Sequence, residues 1–194
     1  MSKPTVIPKV YWDSCVFTSL IEGTADRIEV ITHLANEAEQ GRLEICTSLF
    51  TIAEVAFIKL AKNETQIDPA AQEKIDELWK PGSIVKLYEP HHAIMVASAS
   101  LVRDAKLSGF SIKAKDAIHI ATAMSIGITS LHTYDGFSNK WTHLKTLTGI
   151  TISRPETIDP SLFDLLPHPL QAPPLQIAVT ASICTDDPAS DNAS

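Results

Sequence analysis

At 194 residues, with 44% hydrophobic and 20% charged side chains, the chain has the bulk of one ordinary globular domain plus an appendage. No stretch reaches the uninterrupted apolar length of a membrane span, and Met1-Ser2-Lys3-Pro4 lacks the basic-then-apolar start of a signal peptide. The net charge of −7 sits almost wholly in the tail, because residues 1–154 carry 16 basic against 17 acidic side chains and no Lys or Arg follows Arg154. That balance permits nucleic acid as a partner without demanding it.

In chain order, Val10-Tyr11-Trp12 reads as a short buried strand. Asp13 then falls at its C-terminal edge, where open α/β sheets place ligands, and equally suits the N-cap of a following helix. Thr24 or Asp26 can cap a helix through Ile28, Ile31, Leu34, Ala35 and Ala38, ended by Gly41. Leu43 to Thr47 alternates as a second strand. Ser48 opens the run Leu49 to Leu60, apolar on nearly every face, which predicts a buried helix. Asp68-Pro69 starts an exposed amphipathic helix over 69–80. Pro81-Gly82 turns into a short strand or extended link, Ile84 to Leu87. A long helix from Pro90 to Leu107 stops at Gly109, and a small-residue helix from Ser111 to Met124 stops at Gly127. Ile128 to Thr133 reads as a strand with Tyr134-Asp135-Gly136 turning out of its end, and a last strand lies around Ile150 to Ser153.

Strands alternating with helices imply an α/β fold, a mostly parallel central sheet flanked by helices, with a crevice at the strand C-termini. Seven of the 12 prolines lie at or beyond Pro155, so residues 155–194 form a separate, irregular acidic extension to a domain spanning 1–154. Leu162, Phe163, Leu165, Leu166, Leu170, Leu175 and Ile177 make it too apolar for a solvated linker. An arm docked on this domain, over its site, or on a second copy is the expectation. Cys15, Cys46 and Cys184 lack metal spacing, which implies free thiols in a reducing compartment, the cytoplasm.

Four acids stand in unusual settings. Glu54 interrupts an apolar run, with Phe50, Thr51, Phe57 and Ile58 as its three- and four-residue neighbours. A carboxylate there is paired, protonated or coordinating a cation, since an unpaired buried charge is too costly. Asp116 repeats the pattern inside Ala114-Lys115-Asp116-Ala117-Ile118-His119-Ile120-Ala121, although Lys113 and His119, three residues to either side, offer a local ion pair. Asp13 and Asp135 end strands. Were the four to converge, each close pair would repel by about 4 kcal/mol at 4 Å and an effective dielectric of 20. A divalent cation relieves that, and all-oxygen ligands suit Mg²⁺ or Mn²⁺ rather than zinc. Such a cluster activates water and holds a phosphodiester for in-line attack.

Asp13 after a strand, Glu54 in the next helix, Lys115 to Ala123, and Thr133-Tyr134-Asp135 together resemble the acidic motifs of PIN-domain nucleases, whose best-known bacterial members are VapC-type toxins. The resemblance covers about residues 8–153. It implies a PIN-like three-layer fold and a Mg²⁺- or Mn²⁺-dependent endoribonuclease in which Asp13, Glu54, Asp116 and Asp135 are the catalytic acids and metal ligands. RNA is then the substrate, an antitoxin protein a partner, and a homodimer the expected assembly. Thr133 matches a hydroxyl residue that supports the last acid, and Ser14 is available to Asp13. The family often has Asn, Ser or Thr around the first acid, and here the position after Ser14 is Cys15.

Lys113, Lys115 and His119 are the candidate substrate contacts, with His119 also placed to support the site from beside it. His91-His92, at a helix start, reads as surface. No Cys and His arrangement has zinc spacing, and no Gly-rich loop supports an NTPase. Phosphatase chemistry on Asp13 needs a second Asp two residues on, where Cys15 stands. A catalytically silent PIN-like module binding RNA or protein is the alternative. Nothing in the residues separates RNA from single-stranded DNA.

Overall fold

Alternation of side chains along β1 (Lys9–Trp12) decides the layering of the domain. Val10 and Trp12 enter one hydrophobic cluster, with Val16, Phe17, Ile31 and Leu34, while Tyr11 enters another, with Leu101, Ala117, Ile120, Leu131 and Leu144. These clusters lie on opposite faces of one sheet. The computed structural model describes residues 7–56, 69–136 and 139–157. Across them run α1 (Ser14–Glu22), α2 (Ile28–Glu39), β2 (Glu44–Ser48), α3 (Phe50–Glu54), α4 (Pro69–Leu78), β3 (Val85–Tyr88), α5 (His92–Leu107), α6 (Ala114–Ser125), β4 (Ser130–His132), α7 (Asn139–Thr148) and β5 (Thr151–Ser153).

Among the described residues the five strands form one sheet in the order β3-β2-β1-β4-β5, and every pairing is parallel. Helices cover both faces, α1, α2 and α4 on the Trp12 side and α5, α6 and α7 on the Tyr11 side. This is the three-layer α/β fold expected. Charge helps to set the register: Glu44 on β2 pairs with Lys9 on β1 at 2.8 Å and with Lys86 on β3. A one-residue slip of β2 would turn Glu44 to the other face and break both pairs. Packing supplies most of the stability. Trp12, Phe17, Ile31, Leu34, Ile120 and Leu144 are each at most 1% exposed, and burying a side chain of that size contributes about 1.5–3 kcal/mol.

Most predicted elements fall within a few residues of those observed, and Gly109 and Gly127 end their helices at φ +85° and +71°, which a side chain would strain. Three expectations need correction. The helix opened by Ser48 starts as predicted, with the Phe50 N–H donating to Ser48 Oγ at 3.2 Å, but α3 stops at Glu54. Its only buried residue is Thr51, and Ala53 is exposed, so its apolar composition does not make it a buried helix. The rest of that run, from Phe57, and the Asp68 cap lie outside the described residues. Neither Thr24 nor Asp26 caps α2 with its side chain; the Thr24 carbonyl instead accepts the N–H groups of Arg27 and Ile28, each at 2.9 Å. Lastly, α7 is a helix that the sequence reading left unassigned.

Candidate active site

The parallel sheet brings the C-terminal ends of β1, β4 and β5 together, and the backbone knits them. The Asp13 N–H donates to the His132 carbonyl at 3.1 Å and the Thr133 N–H to the Ser153 carbonyl at 2.9 Å. Asp13 is both a cap and a site residue. It is the N-cap of α1, with Oδ1 accepting from the Ser14 N–H at 2.7 Å and, more weakly, from Ser14 Oγ at 3.3 Å. Its Oδ2 accepts from Thr133 Oγ1 at 2.9 Å. The Thr133 hydroxyl in turn accepts the Asp135 N–H at 3.0 Å, so one side chain orients the first acid and the loop that carries the last.

Cys15 completes this corner. Its sulfur contacts Thr133 Oγ1 at 3.2 Å and Asp13 Oδ2 at 3.5 Å, and accepts the Tyr134 N–H at 3.1 Å. Burial, reinforced by the Asp13 charge, pushes the thiol up to about 12, so it remains a neutral donor. The thiol thus supplies hydrogen bonding to the first acid alongside Ser14.

The second corner is built by α6, which delivers Lys115, Asp116 and His119 within one turn of each other. Lys115 Nζ lies 3.2 Å from Glu54 Oε1 and His119 Nε2 lies 2.5 Å from Glu54 Oε2. A contact that short between nitrogen and a carboxylate needs a proton between them, so the imidazole donates to Glu54. Its other nitrogen, Nδ1, is 2.8 Å from the hydroxyl of Tyr11, which also accepts the Ser48 N–H at 2.9 Å. Tyr11 is fully buried, two residues before Asp13 and therefore on the same face of β1. That spacing was a readable signal for a supporting residue, and the sequence reading missed it. Burial alone would raise the pKa of Glu54, but the hydrogen bonds and charges of His119 and Lys115 outweigh it and hold the carboxyl below its ordinary value.

Asp116 differs. Burial pushes its carboxyl up, the charges of Asp13 and Asp135 reinforce that shift, and Lys140 and Lys115 oppose it without cancelling it. Its nearest cation is not the locally spaced Lys113 but Lys140 on α7, at 3.9 Å. Asp13, Asp116, His119 and Thr133 line one cleft, with Ile120, Leu131, Trp141 and Ile152 as its apolar wall. The sequence-predicted residues thus divide in three. Asp13, Glu54 and His119 each offer an atom within 4.8 Å of one another, and Asp116 shares the cleft. Asp135 is exposed at the rim, close enough for its charge to reach Asp116, and Lys113 is exposed at the start of α6. Lys115 is engaged with Glu54. Lys140 carried no signal, since its helix was not foreseen.

The donor set fits a hard divalent cation such as Mg²⁺ or Mn²⁺. Two carboxylates, Asp13 and Asp116, line the cleft, and Asp116 holds its proton more tightly than usual because of burial and the neighbouring negative charge. The residues that could hold such an ion are Asp13, Glu54 and His119, whose ligand atoms all lie within 4.8 Å of one another, with Asp116 in the same cleft as Asp13 and His119.

Comparison with known proteins gives the arrangement its context. The PIN domain family model matches residues 10–136. The chain is similar to the structure of VapBC2 from Rickettsia felis bound to a DNA fragment from their promoter, with a TM-score of 0.53 and 15% identity over 75% of this chain and 98% of that one. It is also similar to FitAB bound to an IR36 DNA fragment (TM-score 0.51, 18% identity, 75% and 94% covered). VapBC-1 from nontypeable Haemophilus influenzae is a third (TM-score 0.51, 15% identity, 75% and 97% covered). No curated protein matches the chain. Identities this low speak for the fold alone, but the family model spans well over half of the sequence, from the central strand to the loop after β4. On that match the chain belongs to the PIN domain family.

Proposed function

We propose that this protein is a Mg²⁺- or Mn²⁺-dependent endoribonuclease, the toxin of a toxin–antitoxin pair. The observation that carries the reading is the cleft shared by Asp13 and Asp116, in which Asp116 is pushed up by burial and by the charges of Asp13 and Asp135. When bound there, the metal supplies a polarised water and charge stabilisation for the phosphoryl transition state. The chain's own residues do the rest. Thr133, Ser14 and Cys15 fix the Asp13 carboxylate. Lys115 and His119 hold Glu54 ionised, with Tyr11 orienting the imidazole. Lys113, exposed at the start of α6, is available to substrate phosphate.

The similar structures are of VapBC and FitAB pairs, which supports an antitoxin as partner. The exposed Met95 and Val96 on α5 support a homodimer, and the free thiols of Cys15 and Cys46 support the cytoplasm. Among the described residues no helix is long and apolar enough to cross a membrane. The domain is taken to end near 154, with 155–194 as an acidic extension. A second reading, a silent RNA- or protein-binding module, draws on the Glu54 carboxylate, both of whose oxygens are engaged by side chains of α6.

The test is cleavage of mixed RNA and single-stranded DNA with Mg²⁺ or Mn²⁺, beside an EDTA control and Asp116→Asn. RNA cutting that needs metal and is lost in the variant supports the proposal. Folded wild-type protein that cuts neither polymer with either metal sinks it in favour of the silent module.

A further inference from the structure

In a chain of net charge −7, the stretch from Arg103 to Asp116 together with residues 139–148 holds six basic and two acidic side chains. The same two stretches supply an aromatic pair. Phe110 and His143 stack with ring centroids 5.4 Å apart and planes inclined by 23°. Phe110 is half-buried and packs against the hydrophobic core, whereas His143 is exposed on α7. The imidazole adds nothing to the core, so its outer face is free for a ligand.

Two stretches of chain tie the pair to the acid cleft. Phe110 precedes Lys113, the N-cap of α6, by three residues, and Asp116 follows three residues later. His143 stands three residues beyond Lys140, whose ammonium is 3.9 Å from Asp116; one helical turn is about 5.4 Å of rise. Between them Trp141 lines the cleft itself. Lys140 thus joins the cleft to α7, and Lys113 stands between Phe110 and Asp116 along the chain.

We propose that the outer face of His143, backed by Phe110, is a stacking platform for one base of a single-stranded RNA whose phosphates pass Lys113 and Lys140 on the way to the cleft. The proposal rests on the nuclease reading and adds where the strand lies. An aromatic face accepts any base, so the platform gives affinity and direction rather than sequence choice. Phe110 restrains the imidazole beforehand, which lowers the cost of ordering it when the base arrives.

The experiment measures binding of a labelled ten-nucleotide RNA to the full chain in EDTA by fluorescence anisotropy, and cutting of the same RNA with Mn²⁺ in parallel. His143→Ala is expected to weaken binding about tenfold, His143→Phe to retain it, and Phe110→Leu to fall between. His143 is exposed, so its alanine variant should fold, which circular dichroism checks. Removing the base at one position of the RNA should reproduce the loss in wild type and add nothing in His143→Ala. Binding by His143→Ala within twofold of wild type, or equal losses from the abasic RNA in both proteins, overturns the platform. Undiminished cutting with such a flat result would leave the nuclease standing without the platform. RNA bound with the expected pattern but never cut would do the reverse.

Discussion

Glu54 and Asp116 have equally buried side chains, each 12% exposed, yet their proton affinities move in opposite directions. Glu54 receives a lysine and a histidine from α6 and holds its charge. Asp116 is buried beside two further carboxylates, Lys140 at 3.9 Å and Lys115 do not offset them, and its charge is disfavoured. Partner geometry, not depth, separates the two. Glu54 fastens α3 to α6 with an ion pair that the protein completes for itself, while Asp116 is left in want of positive charge from outside. The difference separates a carboxylate that organises the site from one that receives a ligand there.

The largest test of that contrast is Asp116→Asn. Metal-dependent cleavage should fall by roughly a hundredfold or more, since a metal's transition-state stabilisation amounts to several kcal/mol. The metal-free protein should melt no lower than wild type, because a repelled charge has been removed. A lower melting point together with full activity would reverse the assignment. Glu54→Gln should behave oppositely, destabilising the fold by about 2 kcal/mol in urea denaturation, allowing for screening of the half-exposed Lys115. An unchanged midpoint would mean that the ion pair is not formed in solution. Tyr11→Phe leaves the Ser48 N–H and one imidazole nitrogen unpartnered in a buried place, and should cost about 1–2 kcal/mol by the same measurement.

The finest discrimination comes from pH. The depressed pKa of Glu54 gives stability that is fully present above its ordinary value near 4.5 and is lost as pH falls through the lower folded value. The raised pKa of Asp116 gives stability that is present below its ordinary value near 3.8 and is lost as pH rises through the higher folded value. The margin of wild type over Glu54→Gln should therefore shrink on acidification, and that of Asp116→Asn over wild type should shrink too. Denaturation midpoints from pH 3 to 7 check both slopes. Parallel pH profiles for wild type and both variants would erase the distinction.

The sheet, and the odd settings of the acids, were legible because apolar runs with single carboxylates are hard to explain otherwise. The partners of those acids were not. Lys115 and His119 reach Glu54 from 61 and 65 residues away, a contact that only the crossover to α6 creates. The helix α7 repeats apolar residues at Trp141, Leu144 and Leu147, but Thr142, Thr146 and Thr148 dilute its helical propensity, and with it Lys140 stayed hidden. The buried helix expected after Ser48 failed for a different reason. Composition gives the apolar content of a segment but not whether the sheet has a free face to receive it.

The order β3-β2-β1-β4-β5 places the earliest-made of the described strands at the centre, which sets a timetable. Asp13 is translated first among the acids but is not fixed until Thr133, 120 residues later, arrives to hold it. A growing chain that has reached only β3 has Glu54 without its two partners and β1 with one edge bare. During synthesis the carboxylate cluster therefore does not accumulate by degrees. It comes into being when the second half of the sheet closes on the first, so a ribosome carrying an unfinished copy is not yet carrying an assembled site.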